Sequence, residues 1–305
     1  MRKINSSFLM LFTLFFMCCC YAQSTNVQLV IDATNKAQLP KHFRTTNTPL
    51  TNTAGVSTIG LQNLHIAGSA EFSELQLQQA IKQLQNPITI VDLRQESHGF
   101  INGTAVSWYG INNWANINKT DQQVALDESN RLNALHNLST ITALRVRKKD
   151  KIKGIISGGK PVTLSTTDIE SEADLVHKYH LGYQRFYVTD RHAPTDATVD
   201  QFIQFVNHLP TGTTLYFHCR AGEGRTTTFM AMYDMMRNAK QVSLNDIIKR
   251  QQLLGGINLL KDDEIQALSQ SLKSQRLQFI KRFYEYCRTN TNNYQTSWQQ
   301  WLQNH

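Results

Sequence analysis

Residues 218 to 229 read HCRAGEGRTTTF, a single cysteine with an arginine six positions later and two glycines between them. Glycines at 222 and 224 let successive backbone N–H groups converge on one point, and the start of a following helix adds the positive end of its dipole there. The product is an anion cradle with the sulfur of Cys219 at its floor. Such a field draws a thiol from its usual pKa of about 8.5 toward roughly 3.5–7.5, so Cys219 is expected as a thiolate at neutral pH. Arg225 adds a planar fork able to hold two phosphate oxygens, which lysine cannot copy. Thr226 can donate its hydroxyl to the sulfur and ease its later departure. These parts suit in-line attack by Cys219 on phosphorus through a cysteinyl-phosphate, with no metal and no cofactor required. His218, Arg220, Ala221, Gly222, Glu223 and Gly224 complete the loop. Only its backbone faces the anion, so the acid Glu223 is expected to point outward, toward Arg191 or Arg220.

A loop of this kind needs a rigid strand behind it and a helix ahead of it, and the chain alternates such elements. Ser73 can cap ELQLQQAIKQL, which Asn86-Pro87 ends, and the apolar run ITIVDL then suits a buried strand. A second cycle runs through SEADLVHKYHLG, with Gly182 as its C-terminal cap, into the strand-like YQRFYV. In ATVDQFIQFVNHL, the residues Val199, Phe202, Ile203, Val206 and Leu209 share one face, and TTLYF follows as the strand that feeds Cys219. Met230, Met232, Met235 and Met236 come after the loop at helical spacing and read as core. This alternation predicts an α/β fold, a central mixed sheet flanked by helices. Residues 139–167, rich in Thr, Val and Ile and broken by Gly158-Gly159, read instead as short antiparallel strands. They are expected to join residues 23–60 in a small β-rich, partly barrel-like subdomain, leaving 61–138 and 168–305 for the main domain.

At the N-terminus, Arg2 and Lys3 precede FLMLFTLFFMCCC and the small-residue site CYA, the layout of a signal peptide over residues 1–22 cut after Ala22. Cys18, Cys19 and Cys20 raise lipid attachment as an alternative, but the residues before them lack the small, Leu-led pattern of such a site. The cut chain is therefore expected to be secreted or periplasmic, with no membrane span. It retains Cys219 and Cys287 alone, too few for a disulfide framework, so about 280 residues must bury a core unaided. Cys287 lies at helical spacing and reads as a packing residue. The formal charge of +8 loses two with Arg2 and Lys3, leaving a basic surface that favours anionic partners. No zinc-finger spacing, aromatic nucleic-acid motif or dense basic tail is present, which argues against nucleic acid. Nothing in the sequence fixes an oligomeric state.

The departing alkoxide needs a proton from a neutral acid. Asp190, in TDRHAP, lies after a strand, while Thr195 and Asp196 are better placed to start the next helix, which frees Asp190 for chemistry. The loop matches the signature of the cysteine-dependent phosphatases. Together with VDLRQESHGFINGTAVSWYG, TDRHAP, RQQLLGG and YQTSWQQWL, it resembles the protein-tyrosine-phosphatase-like phytases from about residue 39 to the C-terminus. That resemblance implies stepwise hydrolysis of inositol polyphosphates, with Asp190 as the acid and then the base. The family usually places His directly after this aspartate; here Arg191 intervenes and His192 follows. Gln251 matches the family's Arg-Gln pair, either as an accessory that places water or as part of a solvated helix face. Arg44 and Arg276 align with basic substrate contacts, and Arg220 is a candidate reader of a second phosphate. Lys273, in the same late helix as Arg276, is a further substrate-binding candidate, with an exposed solubilising charge as its blander reading. Asp92 either accepts a substrate hydroxyl, as the family suggests, or holds Arg94. Two other activities remain open: a protein-tyrosine or phosphoinositide phosphatase using the same loop, and a module that captures polyphosphate without turnover.

Overall fold

The structure is a computed structural model that describes residues 27–53, 55–261 and 267–305. The expected signal peptide lies outside the described residues. Five strands make the central sheet, in the order Gly182–Arg185, Ile88–Asp92, Thr214–Cys219, Ile66–Ala70, Arg44–Thr45. The first four are parallel and Arg44–Thr45 is antiparallel. Every residue of TLYFHC is buried, as a strand covered by layers on both faces must be. Its register sets His218 beside Asp92 and Ser69, and Cys219 beside Ala70, at the carboxyl edge of the sheet.

Helices cover that sheet because their apolar faces match it. The helix Asp196–Asn207, capped by the Thr195 hydroxyl, buries Val199, Phe202, Ile203 and Val206. Phe202 packs within 5.0 Å of Phe229 on the helix Gly224–Asn238. That helix is enclosed over most of its length, and its methionines pack in the core as their spacing predicts. Cys287, on the helix Ala267–Thr289, joins the same core, where burial pushes its thiol pKa up. Trp298 stacks with Trp301, and its Nε1 donates to Asp196, pinning the C-terminus to the body.

The six-stranded second sheet has the order Lys160–Ser165, Thr140–Arg145, Gln28–Ala33, Thr104–Tyr109, His98–Ile101, Ile169–Glu170. It takes strands from both segments expected in the β subdomain, whereas Arg44–Thr45, also expected there, pairs in the central sheet. It also takes Ile169–Glu170 and residues 98–109, which the sequence pattern assigns to the main domain. The reason is a tight hairpin: Asn102 and Gly103 both have left-handed φ, 48° and 70°, the conformation an Asn-Gly turn supplies. Among the described residues no closed barrel forms. The helix Asp121–Leu135 was not anticipated, although Thr120 and Gln123 form its capping box. Gly182 is not a cap. His180 takes the left-handed turn at φ 55° after the helix Glu172–Lys178, whose own cap is Ser171, and Gly182 opens the next strand. Among the described residues no helix is long and apolar enough to cross a membrane.

Candidate active site

The loop 218–224 closes between the strand Thr214–Cys219 and the helix Gly224–Asn238. Gly222 has φ 73°, and a Cβ there would stand 2.2 Å from the Ala70 nitrogen, so only glycine fits. That close approach turns the Gly222 N–H toward the Cys219 sulfur at 3.3 Å. The Thr226 hydroxyl donates to the same sulfur at 3.2 Å. Cys219 itself is 2% exposed. Two donors therefore converge on a sulfur that bulk water barely reaches.

Arg225 reaches from the first turn of the helix to the end of the neighbouring strand. Its Nη1 donates to the carbonyls of Leu93 and Val188, at 3.2 and 3.0 Å. Its two terminal nitrogens also grip the Glu96 carboxylate, at 2.7 and 2.9 Å. Burial alone would lower the Arg225 pKa, but Asp190 and Glu96 outweigh it and the pKa rises. Burial would likewise raise Glu96, and the charges of Arg225 and Arg94 hold it below the carboxylate range instead. The fork is thus fixed as a cation before any anion arrives. Sequence reasoning missed Glu96, although it sits inside the VDLRQESHG block; the available signal was an acid just past a buried strand.

Asp190 stands 3.2 Å from Arg225 Nη2, with its side chain 29% exposed. Asn113 donates to its carboxylate at 3.1 Å and to Glu96 at 2.9 Å, so one amide ties the acid to the carboxylate behind the clamp. The indole of Trp114 donates to the Asp190 carbonyl at 2.8 Å. Both residues follow a turn in which Asn112 and Asn113 have positive φ, a conformation Asn tolerates. His192 turns its Nδ1 to the Asp190 carbonyl and its ring against Trp114, which makes it part of the same brace. Arg191 has φ 71° and is exposed at the site mouth.

Other expected residues take different places. Arg44 is buried beneath the loop, donating to the carbonyls of Gly222 and His42 and to the Thr227 hydroxyl. Burial pulls its pKa down to about 10, against the opposing attraction of Cys219. Asp92 is wholly buried and takes neither expected role in full: it accepts the Arg94 backbone N–H and pairs with the side chain of Arg185. Gln251 is neither at the site nor solvated, being buried with its amide on Asp234. Arg276 packs against Gly224 and donates to the Arg191 carbonyl, linking the acid loop to the start of the helix. Lys273 is partly buried on the helix Ala267–Thr289. Glu223 points outward as expected, but toward His42 at 3.7 Å rather than Arg191 or Arg220. His218 is buried with Nε2 2.6 Å from Glu172.

Beside the loop a cavity of about 710 Å³ opens between the two sheets. Its lining takes Arg220, Ala221 and Glu223 from the loop and a wall of cations, Arg145, Arg147, Lys148 and Lys151, from the segment 145–151. Lys151 lies 4.1 Å over the Tyr109 ring, and burial together with Arg220 draws its pKa down to about 8. Sequence reasoning named none of these wall residues, because their segment is remote from the loop in the chain. Two buried groupings, Glu71–His98–Glu172 and Asp92–Glu172–His218, have metal-ligand donor types. Their carboxylates already face imidazole or guanidinium partners.

This geometry has known counterparts. The family model for PTP-like phytase, described as inositol hexakisphosphate, matches residues 91–237. A PTP-like phytase from Bdellovibrio bacteriovorus is 32% identical and superposes with a TM-score of 0.71, over 92% of this chain and 95% of that one. The chain belongs to the PTP-like phytases. A PTP-like myo-inositol phosphatase from Mitsuokella multacida, solved in complex with myo-inositol-(1,3,4,5)-tetrakisphosphate, is 37% identical with a TM-score of 0.83. The match covers 90% of this phytase-family chain and 49% of that one. The effector protein hopD2 of Pseudomonas syringae pv. tomato is 31% identical over 90% of this chain. The chain spans 59% of that relative's length.

Proposed function

We propose that this member of the PTP-like phytases removes phosphate stepwise from myo-inositol polyphosphates, phytate among them, through a cysteinyl-phosphate. The Cys219 thiolate attacks phosphorus in line, the bond from phosphorus to the inositol oxygen breaks, and Asp190 gives its proton to the departing oxygen. Arg225 and the loop N–H groups hold the equatorial oxygens where charge accumulates. Water then attacks the phosphocysteine, Asp190 takes the water's proton, and the sulfur leaves as a thiolate stabilised by the Thr226 hydroxyl.

One observation carries this reading: the sulfur, the clamp and the acid meet beside a cavity lined by eight Lys or Arg and three Asp or Glu side chains. A substrate with one phosphate needs only the loop. A ring carrying several, each with charge near −1.5 to −2, needs cations spread over a wall. The cavity volume is in the range of small-molecule sites. The complex of the Mitsuokella relative supports the same class of ligand. Arg220, Arg191 and Lys151 are placed to receive phosphates other than the one being cleaved. We also propose that the chain acts outside the cytoplasm, on the strength of the expected leader alone; fractionation of cells expressing the full gene tests this.

Phosphate release from phytate, a phosphotyrosine peptide and a soluble phosphoinositide at equal concentration tests the substrate class. The expectation is the highest kcat/KM on phytate, and a strong preference for peptide defeats it. Rapid acid quench with labelled substrate tests the intermediate. Label retained by the wild type and lost in Cys219→Ser is expected; no label on a protein that turns over would refute the covalent route.

A further inference from the structure

The guanidinium of Arg94 is 0% exposed and ends among three carboxylates from three different parts of the chain. Its Nη2 donates to Asp32 at 2.9 Å, its Nη1 to Glu71, and its Nε to Glu96 at 3.1 Å. Each of those carboxylates then faces a different residue of the catalytic loop or its helix. Asp32 holds Arg220 at 2.7 Å, Glu71 faces His218 Nδ1 at 3.5 Å, and Glu96 holds both ends of Arg225. Asp32 belongs to the second sheet, whereas Glu71 and Glu96 follow strands of the central sheet. Arg94 is therefore the only cation among the described ion pairs shared by all three.

We propose that Arg94 is a positioning residue that fixes the catalytic loop at His218, Arg220 and Arg225 together, by holding the three carboxylates to which they are tied. The charges around it make the case. Three carboxylates face Arg94, Arg220 and Arg225, with His218 shared between Glu71 and Glu172. Taking Arg94 away leaves one negative charge unpaired a few ångströms behind the phosphate cradle. Buried carboxylates in that state repel one another and pull on the remaining cations. Arg225 and Arg44 are the guanidinium groups that face the Cys219 sulfur, so a displaced Arg225 weakens the field on it. A lysine carries the same charge but has no planar fork with three separate donor edges, so it cannot reach all three partners.

This proposal rests on Cys219 as the nucleophile, and the readout is chosen to stand apart from the substrate. The pH dependence of Cys219 alkylation by iodoacetamide needs no substrate, so it fails independently of the phytate assignment. In Arg94→Lys, with folding checked by circular dichroism, the alkylation midpoint is expected to move up by about one pH unit. The kcat on phytate is expected to fall at least tenfold, and Arg94→Met to exceed both effects. A folded Arg94→Lys with an unchanged alkylation profile and kcat within twofold of wild type overturns the proposal. Should neither Arg94 variant fold, Asp32→Asn decides, since it breaks the path from Arg94 to Arg220 and leaves the Arg94 contacts with Glu71 and Glu96 in place: a KM rise of severalfold with kcat kept supports the hub, and an unchanged KM overturns it.

Discussion

Two buried histidines should make this protein lose stability as the pH rises above 6.5. His98 has Nδ1 2.7 Å from the Glu96 carbonyl and Nε2 3.0 Å from a Glu172 oxygen, so both nitrogens face acceptors and both must carry protons. His218 has Nε2 2.6 Å from the other Glu172 oxygen and Nδ1 3.5 Å from Glu71. Burial and Arg94 lower the His98 pKa, Asp92 and Glu128 raise it by more, and it settles at about 10. Burial lowers His218 too, and Glu172 and Glu71 lift it well above the ordinary value. In the unfolded chain both titrate near 6.5. Between the two values the folded state holds a proton that the unfolded state has released, so stability is full below about pH 6.5 and falls as the pH rises. Each such proton contributes about 1.4 kcal/mol per pH unit, and two contribute about 3. From pH 6.5 to 8 the loss is about 3 kcal/mol, because the unfolded imidazoles are still half protonated at 6.5, and that is a large part of a typical domain's 5–15 kcal/mol. Above pH 8 Lys151, lowered to about 8, works in the opposite direction, so the slope is read from 6.5 to 8, and in Cys219→Ser so that the nucleophile's own proton does not enter. Urea unfolding followed by tryptophan fluorescence at half-unit steps measures the slope. His98→Gln should halve it. A slope in Cys219→Ser below half a proton, about 0.7 kcal/mol per unit, would refute the doubly protonated pair.

Glu96→Gln leaves the buried Arg225 without its carboxylate and should destabilise by about 3–5 kcal/mol, with a larger proportional loss in kcat than in melting temperature; chemical denaturation and steady-state kinetics measure both. Asp190→Asn should lower kcat by about 10²–10⁴ and flatten the basic limb of the pH–rate profile, while phosphocysteine still forms from substrates with acidic leaving groups. Gly222→Ala must place a Cβ against backbone at Ala70 in a left-handed conformation, so activity should vanish and stability fall by about 1–3 kcal/mol. Lys151→Gln should raise KM for phytate about tenfold with little change in kcat, since it removes one charge from the cavity wall and nothing from the loop.

What was legible in the chain was local. The Cys219 loop, its strand, its helix and the Ser73 and Thr195 caps all depend on neighbours within a few residues, and each stands where its pattern places it. The second sheet was half legible for the same reason. Residues 139–167 announced strands by composition, but the pairing of Gln28–Ala33 with Thr104–Tyr109 is a contact between segments some seventy residues apart. The Asn102-Gly103 turn was a visible sign of the hairpin and was passed over. Gly182 was mistaken for a cap because glycine is the usual left-handed residue there, and His180 took that role instead.

The charged residues around the site were the least legible, and the reason is physical. An arginine in sequence reads as a surface cation, because burying one is costly unless carboxylates surround it. Here they do: Arg44, Arg94 and Arg225 are each at most 4% exposed, and Arg94 and Arg225 end on acids that come from distant segments. Arg44 was expected to touch substrate and braces the loop from beneath; Asp92 was expected at the substrate or holding Arg94, and it holds the Arg94 backbone N–H together with the Arg185 side chain. The cations left for a polyphosphate are those whose partners are few, on the wall from Arg145 to Lys151 and at Arg191. Division of labour follows from that difference. Arg225, buried and locked by Glu96, can hold only the one phosphate being cleaved, and the exposed or half-exposed cations of the wall can adjust to whichever phosphates a ring still carries. The stepwise hydrolysis proposed for this chain needs both, since the reacting phosphate must always meet the same geometry while the rest of the substrate changes at every round.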